Sequence, residues 1–239
     1  MANPTAAMLV IGDEILSGRT RDANMHYLAG ELTKHGISLA EVRIVPDVAS
    51  KIVETVQGLS REYGSVFTSG GIGPTHDDIT ADCIAEAFGK TIGVRDDARA
   101  LLQAHYDKSG QEFNEARQRM ARIPEGATLI ENPVSVAPGF VLENVYVMAG
   151  VPSVFQAMVA SIMPTLTGGD PVLSQTLRIE RGEGEIAGPL AELAATYSDL
   201  SVGSYPYQQN GAYGANVVIR GTDGQRVDEA MARLAELFA

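Results

Sequence analysis

The sequence predicts an α/β protein: a mostly parallel sheet covered by helices on both faces, followed by a smaller α+β domain. Three observations predict it. Short apolar runs alternate with segments of helical spacing over the first two-thirds of the chain, the β-α-β-α order that builds parallel sheets. The first run, AAMLVI at residues 6–11, lacks polar alternation, as a strand buried on both faces does. A Gly-Gly-Asp-Pro break at residues 168–171 then separates this region from a shorter set of elements, a linker signal.

The elements follow in order. Residues 22–35 carry Met25, Leu28, Ala29 and Leu32 at helical spacing, with Asp22 as N-cap and Gly36 as the stop. Residues 37–45 alternate up to Pro46 and read as a strand. Residues 50–63 place Ile52, Val53, Val56 and Leu59 on one helical face before Gly64. Residues 65–68 (SVFT) form a third strand that runs directly into a glycine-rich turn at 69–75. A helix is expected at 79–88, stopped by Gly89, with further helices at 96–109 and 112–122. Residues 139–142 and 145–148 flank Glu143-Asn144 as a hairpin. Residues 152–166 read as a helix with Pro152 in its first turn. The first domain is expected to span residues 1–167 and the second 172–239. The second holds a strand at 175–180, a helix at 185–196, strands at 200–205 and 215–220, and a helix at 226–238.

Composition narrows the function. Apolar residues make up 45% and charged residues 20% of the 239, the range of folded proteins rather than disordered chains. No apolar run is long enough to span a bilayer, and the N-terminus has no basic leader. A single cysteine, Cys83, permits no internal disulfide, so a reducing cytoplasm is the expected location. A net charge of −12 argues against nucleic acid or an anionic membrane as partner, because both need clustered Lys and Arg. A small phosphorylated ligand remains open, since backbone N–H groups and a metal ion can hold one.

Ligands of open α/β sheets bind at the carboxyl ends of strands. The turn after the third strand, SGGIGPTHDDIT at residues 69–80, is the richest such place. Gly70, Gly71 and Gly73 let the backbone approach a ligand and turn N–H groups toward it, and the helix that follows favours an anion at its start. Asp77 and Asp78 sit beside a phosphate only if a divalent cation lies between, or else they cap the helix. Thr80 supplies a hydroxyl for capping or ligand contact, and His76 lies inside the turn. The spacing is neither a Walker A loop nor a dinucleotide-binding fingerprint. The first strand ends in Gly12-Asp13-Glu14, which places Gly12 and Glu14 at the same edge; Asn24 is either a ligand contact or a first-turn helix residue. The loop around Ser135 and the turn Gly150-Val151-Pro152-Ser153 offer a second anion-holding segment, or simply a helix start. Cys83 reads as a core thiol.

These segments together resemble a known family. SGGIGPTHDDIT is similar to the glycine-rich signature of the MoaB/Mog molybdopterin-binding superfamily. With GDEILSGRTRDAN before it, NPVSVAPGF and AGVPS after it, the chain looks like the N-terminal domain of the competence/damage-inducible CinA proteins, a domain type shared with eukaryotic FAD synthases. The resemblance covers about residues 5–166 in order, and the small domain looks like the companion subdomain of CinA-type chains. Two departures stand out. The chain stops at Ala239, so the CinA deamidase domain and nicotinamide-mononucleotide deamidation are not expected. Ala149-Gly150-Val151-Pro152 stands where relatives often show Pro-Gly-x-Pro.

The resemblance implies a three-layer α/β/α fold, self-association as a dimer or trimer, and two competing functions. The first is metal-dependent hydrolysis of a nucleotide pyrophosphate such as ADP-ribose or FAD. Asp77, Asp78 and Glu14 would then hold Mg²⁺, Mn²⁺ or Co²⁺, with phosphates on Gly12, Asn24, Ser69, Gly70, Gly71, Gly73, Pro74, Thr75, Thr80, Ser135, Gly150, Pro152 and Ser153. The second is a non-catalytic molybdopterin-binding module, or a molybdopterin adenylyltransferase-like protein, in which the two aspartates merely cap. Hydrolysis is preferred because adjacent acids in an anion pocket cost affinity without a cation. Replacing Gly71 by valine is expected to fill the phosphate space and leave the fold intact.

Overall fold

The computed structural model describes residues 3–209 and 211–239; Met1 and Ala2, with which the expected first domain opens, lie outside the described residues. The chain divides into two compact units, Met1–Gly169 and Asp170–Ala239.

The first unit runs β1 (Thr5–Ile11), α1 (Asp13–Leu16), α2 (Asn24–Lys34), β2 (Ser38–Val45), α3 (Ala49–Glu62), β3 (Ser65–Ser69), α4 (Thr80–Ala87), β4 (Ile92–Val94), α5 (Asp96–Ser109), α6 (Glu115–Gln118), β5 (Arg122–Pro124), β6 (Thr128–Ile130), β7 (Gly139–Leu142), β8 (Val145–Met148) and α7 (Pro152–Ile162). Six strands form one sheet in the order β2-β1-β3-β8-β7-β6. β2, β1, β3 and β8 are mutually parallel, and the hairpin at β7 and then β6 add an antiparallel edge.

The alternation of β1 divides the core. Ala7, Leu9 and Ile11 face Ile52, Val56 and Leu59 of α3 and Ile84 of α4. Ala6, Met8 and Val10 face Leu28 and Leu32 of α2 and Phe155, Met158 and Val159 of α7. An apolar run without polar interruption is thereby explained, because both faces of β1 are covered. The chain is a three-layer α/β/α protein.

The second unit runs β9 (Leu173–Ile179), α8 (Glu183–Thr196), β10 (Ser201–Gln209), β11 (Ala212–Gly221) and α9 (Gly224–Leu237). Its antiparallel sheet, ordered β10-β11-β9, buries Ala215, Val217 and Ile219 against Ile186 and Leu190 of α8 and Val227 and Leu234 of α9.

Two expectations change. Residues 112–122 are not one helix. The Asn114 side chain accepts from the Arg117 N–H and starts a single α-helical turn, a 3₁₀ turn spans Arg119–Ala121, and Arg122 then enters β5, paired with β4. Pro124 cannot continue a helix, and tertiary pairing overrides the helical propensity before it. Asp22 does satisfy a first-turn amide, its Oδ1 accepting from Met25 N at 2.9 Å, but the helix starts at Asn24 after Ala23.

Candidate functional site

β1 connects outward to β2 on one side, and the chain then crosses back to place β3 on the other. The carboxyl ends of these strands therefore diverge at a switch point, where open α/β sheets form their ligand crevice. A cleft of about 510 Å³ lies there. Each wall is the segment that follows a strand: Gly12 and Glu14 after β1, Asp47 after β2, residues 70–73 after β3, and residues 149–152 after β8.

The glycine turn owes its shape to two close approaches. Gly70 and Gly71 both have positive φ, 109° and 70°, a conformation that costs an L side chain. A Cβ at Gly70 would run into the Ile11 carbonyl oxygen, and one at Gly71 into Thr80 Oγ1. Thr80, fully buried, donates its hydroxyl to the Gly70 carbonyl at 3.0 Å and its N–H to the Gly71 carbonyl at 2.9 Å. Thr80 is thus a strut inside the turn and does not line the cleft. The expectation for Gly71 changes with it: the space beside Gly71 belongs to Thr80, so a valine there strains the turn itself rather than filling a vacant phosphate position.

The donors separate into spent and open. Gly12 N donates to Val45 O and Gly70 N to Met148 O, each at 3.1 Å. The N–H groups of Gly71, Ile72 and Gly73 have no acceptor among the described residues. After the neighbouring strand β8, Val151 gives the start of α7 no side-chain cap, which leaves first-turn amides of that helix open. Gly150 packs against Gly70, where a Cβ would lie 3.3 Å from the Gly70 Cα.

Asn24 joins the two segments. Buried at 3% exposure, it donates from Nδ2 to Ser69 Oγ at 2.7 Å and to the Gly150 carbonyl at 2.8 Å. Asn24 and Ser69 are braces behind the cleft. Asn132 performs a similar task for Ser135: its Nδ2 donates to Ser135 Oγ at 2.6 Å and to Ala137 O at 2.8 Å, and its Oδ1 accepts from the N–H groups of Val134 and Ser135. This network holds Val136 at φ 65°, an unfavourable angle for a β-branched residue, and presents Ser135 to the cleft.

The acids differ in state. Asp78 accepts from Thr75 N at 2.7 Å and Thr75 Oγ1 at 2.6 Å, so its carboxylate closes the turn even though it lines the cleft. The Thr75 hydroxyl also lies against Asp77 and, with Asp77's own N–H, holds that carboxyl below its usual range. Asp47 is raised, first by burial and then by the charges of Asp13, Glu14 and Asp77; the Asp13 N–H, donated at 3.0 Å, opposes the rise. The Asp47 shift therefore records four carboxylates gathered at one end of the cleft. Among the described residues no group of three or more His, Cys, Asp or Glu stands close enough to hold a metal ion, so Glu14, Asp77 and Asp78 share the cleft without forming a ready coordination shell.

Of the residues read from the sequence, Gly12, Glu14, Gly70, Gly71, Gly73, Asp77, Asp78, Ser135, Gly150 and Pro152 meet around the cleft. Pro74, Thr75 and Ser153 flank it without lining it, and the His76 side chain is 98% exposed. Cys83 is buried, and burial pushes its thiol up to about 11, which keeps it protonated and unreactive. Sequence reasoning missed Asp47. The signal was available, since Asp47 stands two residues past the end of β2, at the same sheet edge as the residues that were chosen.

Fold and site together define a class: an α/β protein with a cleft lined by backbone amides and carboxylates at the carboxyl edge of a parallel sheet. The comparisons give the family. Residues 7–168 match the family described as probable molybdopterin binding domain, and the chain belongs to it. Residues 171–239 match the FAD synthase middle domain. A protein of Archaeoglobus fulgidus is 31% identical over 231 residues, covering 97% of this chain and 96% of its own. A probable FAD synthase of Caenorhabditis elegans is 30% identical over 98% of this chain, which spans 50% of that protein's length. Among solved structures, the CinA protein of Thermoplasma acidophilum, of unknown function, matches with a TM-score of 0.63 and 31% identity over 69% of this chain and 99% of its own. No helix among the described residues is long and apolar enough to cross a membrane.

Proposed function

We propose that the cleft binds a phosphorylated nucleotide or pterin and hydrolyses a nucleotide pyrophosphate of the ADP-ribose or FAD class with the help of a divalent cation. The observation that carries this reading is the presence of open amides at residues 71–73 and at the start of α7 around one cleft, which Glu14, Asp47 and Asp77 also line. Two anion-holding segments suit the two phosphates of a diphosphate. Carboxylates that repel one another are relieved by a hard cation, so Mg²⁺, Mn²⁺ or Co²⁺ suits their chemistry. Glu14, Asp47 and Asp77 form no ready coordination shell by themselves; a cation here would need phosphate oxygens of the ligand beside one or two of these carboxylates, and it would supply charge neutralisation and a more acidic bound water. The family name, the FAD synthase match and the FAD synthase relative support a nucleotide-related or pterin ligand. Self-association as a dimer or trimer, with the chain in the cytoplasm, completes the proposal.

A second reading has its own observation. Asp78 does not cap α4, but its carboxylate is tied to Thr75 inside the turn and so is not held free for a cation. This favours a non-catalytic molybdopterin-binding module, or an adenylyltransferase-like protein that uses the same cleft. The deciding experiment incubates the full chain with ADP-ribose or FAD, with and without Mg²⁺, Mn²⁺ or Co²⁺, and measures AMP. Hydrolysis predicts cation-dependent release that Asp77→Asn abolishes without lowering the melting temperature, since the Asp77 side chain is 62% exposed. No turnover with any cation, beside tight pterin binding, leaves the binding module. Asp78→Ala is the poorer probe, because it releases Thr75 and loosens the turn.

A further inference from the structure

Behind the glycine turn a small recess adjoins the cleft. It offers about 20 Å³, and residues 71–73, Asp78 and Met120 line both spaces. That volume admits a single small polar group. The recess brings two guanidinium groups, Arg119 and Arg122, to a site otherwise dominated by acids; the lining of the cleft itself contains no Lys or Arg among the described residues. The two arginines are not equivalent. Arg122 is paired with the Asp82 carboxylate. Arg119 forms no ion pair among the described residues; its Nη2 donates to the Asp78 carbonyl oxygen at 3.2 Å, and its Nε–H, like that of Arg122, is buried without an acceptor. A partly buried guanidinium without an anion gives up hydration for little return. An oxyanion on the neighbouring turn would restore the balance.

We infer that Arg119 is the charged half of the anion site: a ligand phosphate lies on the open amides of residues 71–73 with the Arg119 guanidinium donating to it from the recess side. The inference rests on the reading of the cleft as a phosphate site and adds to it the residue that supplies positive charge. The 3₁₀ turn Arg119–Ala121 is what delivers it. Had residues 112–122 continued as one helix, Arg119 would not have been placed by that turn immediately before β5. The hydrogen bond to the Asp78 carbonyl fixes the guanidinium against the turn, and a fixed planar fork suits a phosphate better than a mobile ammonium. The role is one of binding and orientation, with no proton transferred.

The test is calorimetric titration of the full chain with inorganic pyrophosphate in the presence of Mg²⁺, using wild type, Arg119→Gln, Arg119→Lys and, as a control for general charge, Arg117→Gln, which removes a half-buried guanidinium that stacks on Tyr106 and lines neither space. Loss of charge-assisted hydrogen bonds predicts roughly a 10- to 100-fold weaker Kd for Arg119→Gln, an unchanged melting temperature, partial recovery in Arg119→Lys, and no effect in the control. If wild type binds and Arg119→Gln binds within about twofold, the inference fails while the cleft reading stands. If binding falls only in step with the melting temperature and lysine recovers none of it, Arg119 is merely a brace for Asp78, and the inference fails. If wild type binds no pyrophosphate, the cleft reading itself falls and takes the inference with it.

Discussion

The strut inside the glycine turn can be tested by a double-mutant cycle on Gly71 and Thr80. Gly71→Ala places a methyl group at φ 70°, against Thr80 Oγ1. The left-handed angle costs an L residue about 1–2 kcal/mol. The collision moves the Thr80 hydroxyl from the buried Gly70 carbonyl, a bond of 3.0 Å, and an abandoned buried acceptor costs about 1–3 kcal/mol. The sum is about 2–5 kcal/mol, which lowers the melting temperature by roughly 5–15 °C for a unit of this size. Thr80→Ala alone removes the same hydrogen bond and costs about 1–3 kcal/mol. In the double variant the hydroxyl that Gly71→Ala would displace is already gone. The two losses then overlap, and the combined cost falls short of their sum by about 1 kcal/mol or more. Urea unfolding followed by circular dichroism measures all four corners. Additivity within about 0.5 kcal/mol would refute the strut and return the space beside Gly71 to the ligand.

Two further outcomes follow from the braces and the acids. Asn24→Ala removes two buried hydrogen bonds, to Ser69 and Gly150, and is expected to cost about 2–3 kcal/mol in urea unfolding; a loss below about 0.5 kcal/mol would show that the two loops do not depend on it. Asp47 is raised in the folded state by burial and by Asp13, Glu14 and Asp77, so its stabilising proton is present below the ordinary carboxylate range and is lost as pH rises through the raised value. Asp47→Asn keeps an acceptor for the Asp13 N–H and removes the charge. Its melting temperature should therefore exceed wild type at pH 7 and converge with it near pH 3, and an equal difference at both pH values would contradict the gathered carboxylates.

Local signals made much of this legible. The uninterrupted apolar run of β1 announced a central strand because burial on both faces leaves no polar position. Gly12, residues 70–73 and Gly150 marked the edge where the cleft opens, because a strand followed by glycine is where backbone can bend and expose amides. Asp47 has no glycine beside it to mark the edge, and its altered ionisation comes first from burial and then from Asp13, Glu14 and Asp77, which follow other strands. Residues 112–122 misled because their helical propensity is real, and it yields to pairing between β4 and β5, which lie far apart in sequence.

What the sequence by itself determined is therefore the main β-α alternation, the two-faced sheet, the edge at which the cleft opens and the family. These depend on periodicity and on residues whose conformational freedom is intrinsic. What only the tertiary structure decided is which polar groups remain free. Thr80, Asn24 and Asp78 look equally free along the chain, yet packing ties the Thr80 hydroxyl to Gly70, the Asn24 Nδ2 to Ser69 and Gly150, and the Asp78 carboxylate to Thr75, while the buried Asn24 Oδ1 has no partner among the described residues. Packing likewise brings Arg119 beside the turn without a carboxylate partner among the described residues. Hydrogen-bond capacity is settled by neighbours distant in sequence, so a residue's availability to a ligand can be read only after the chain has folded.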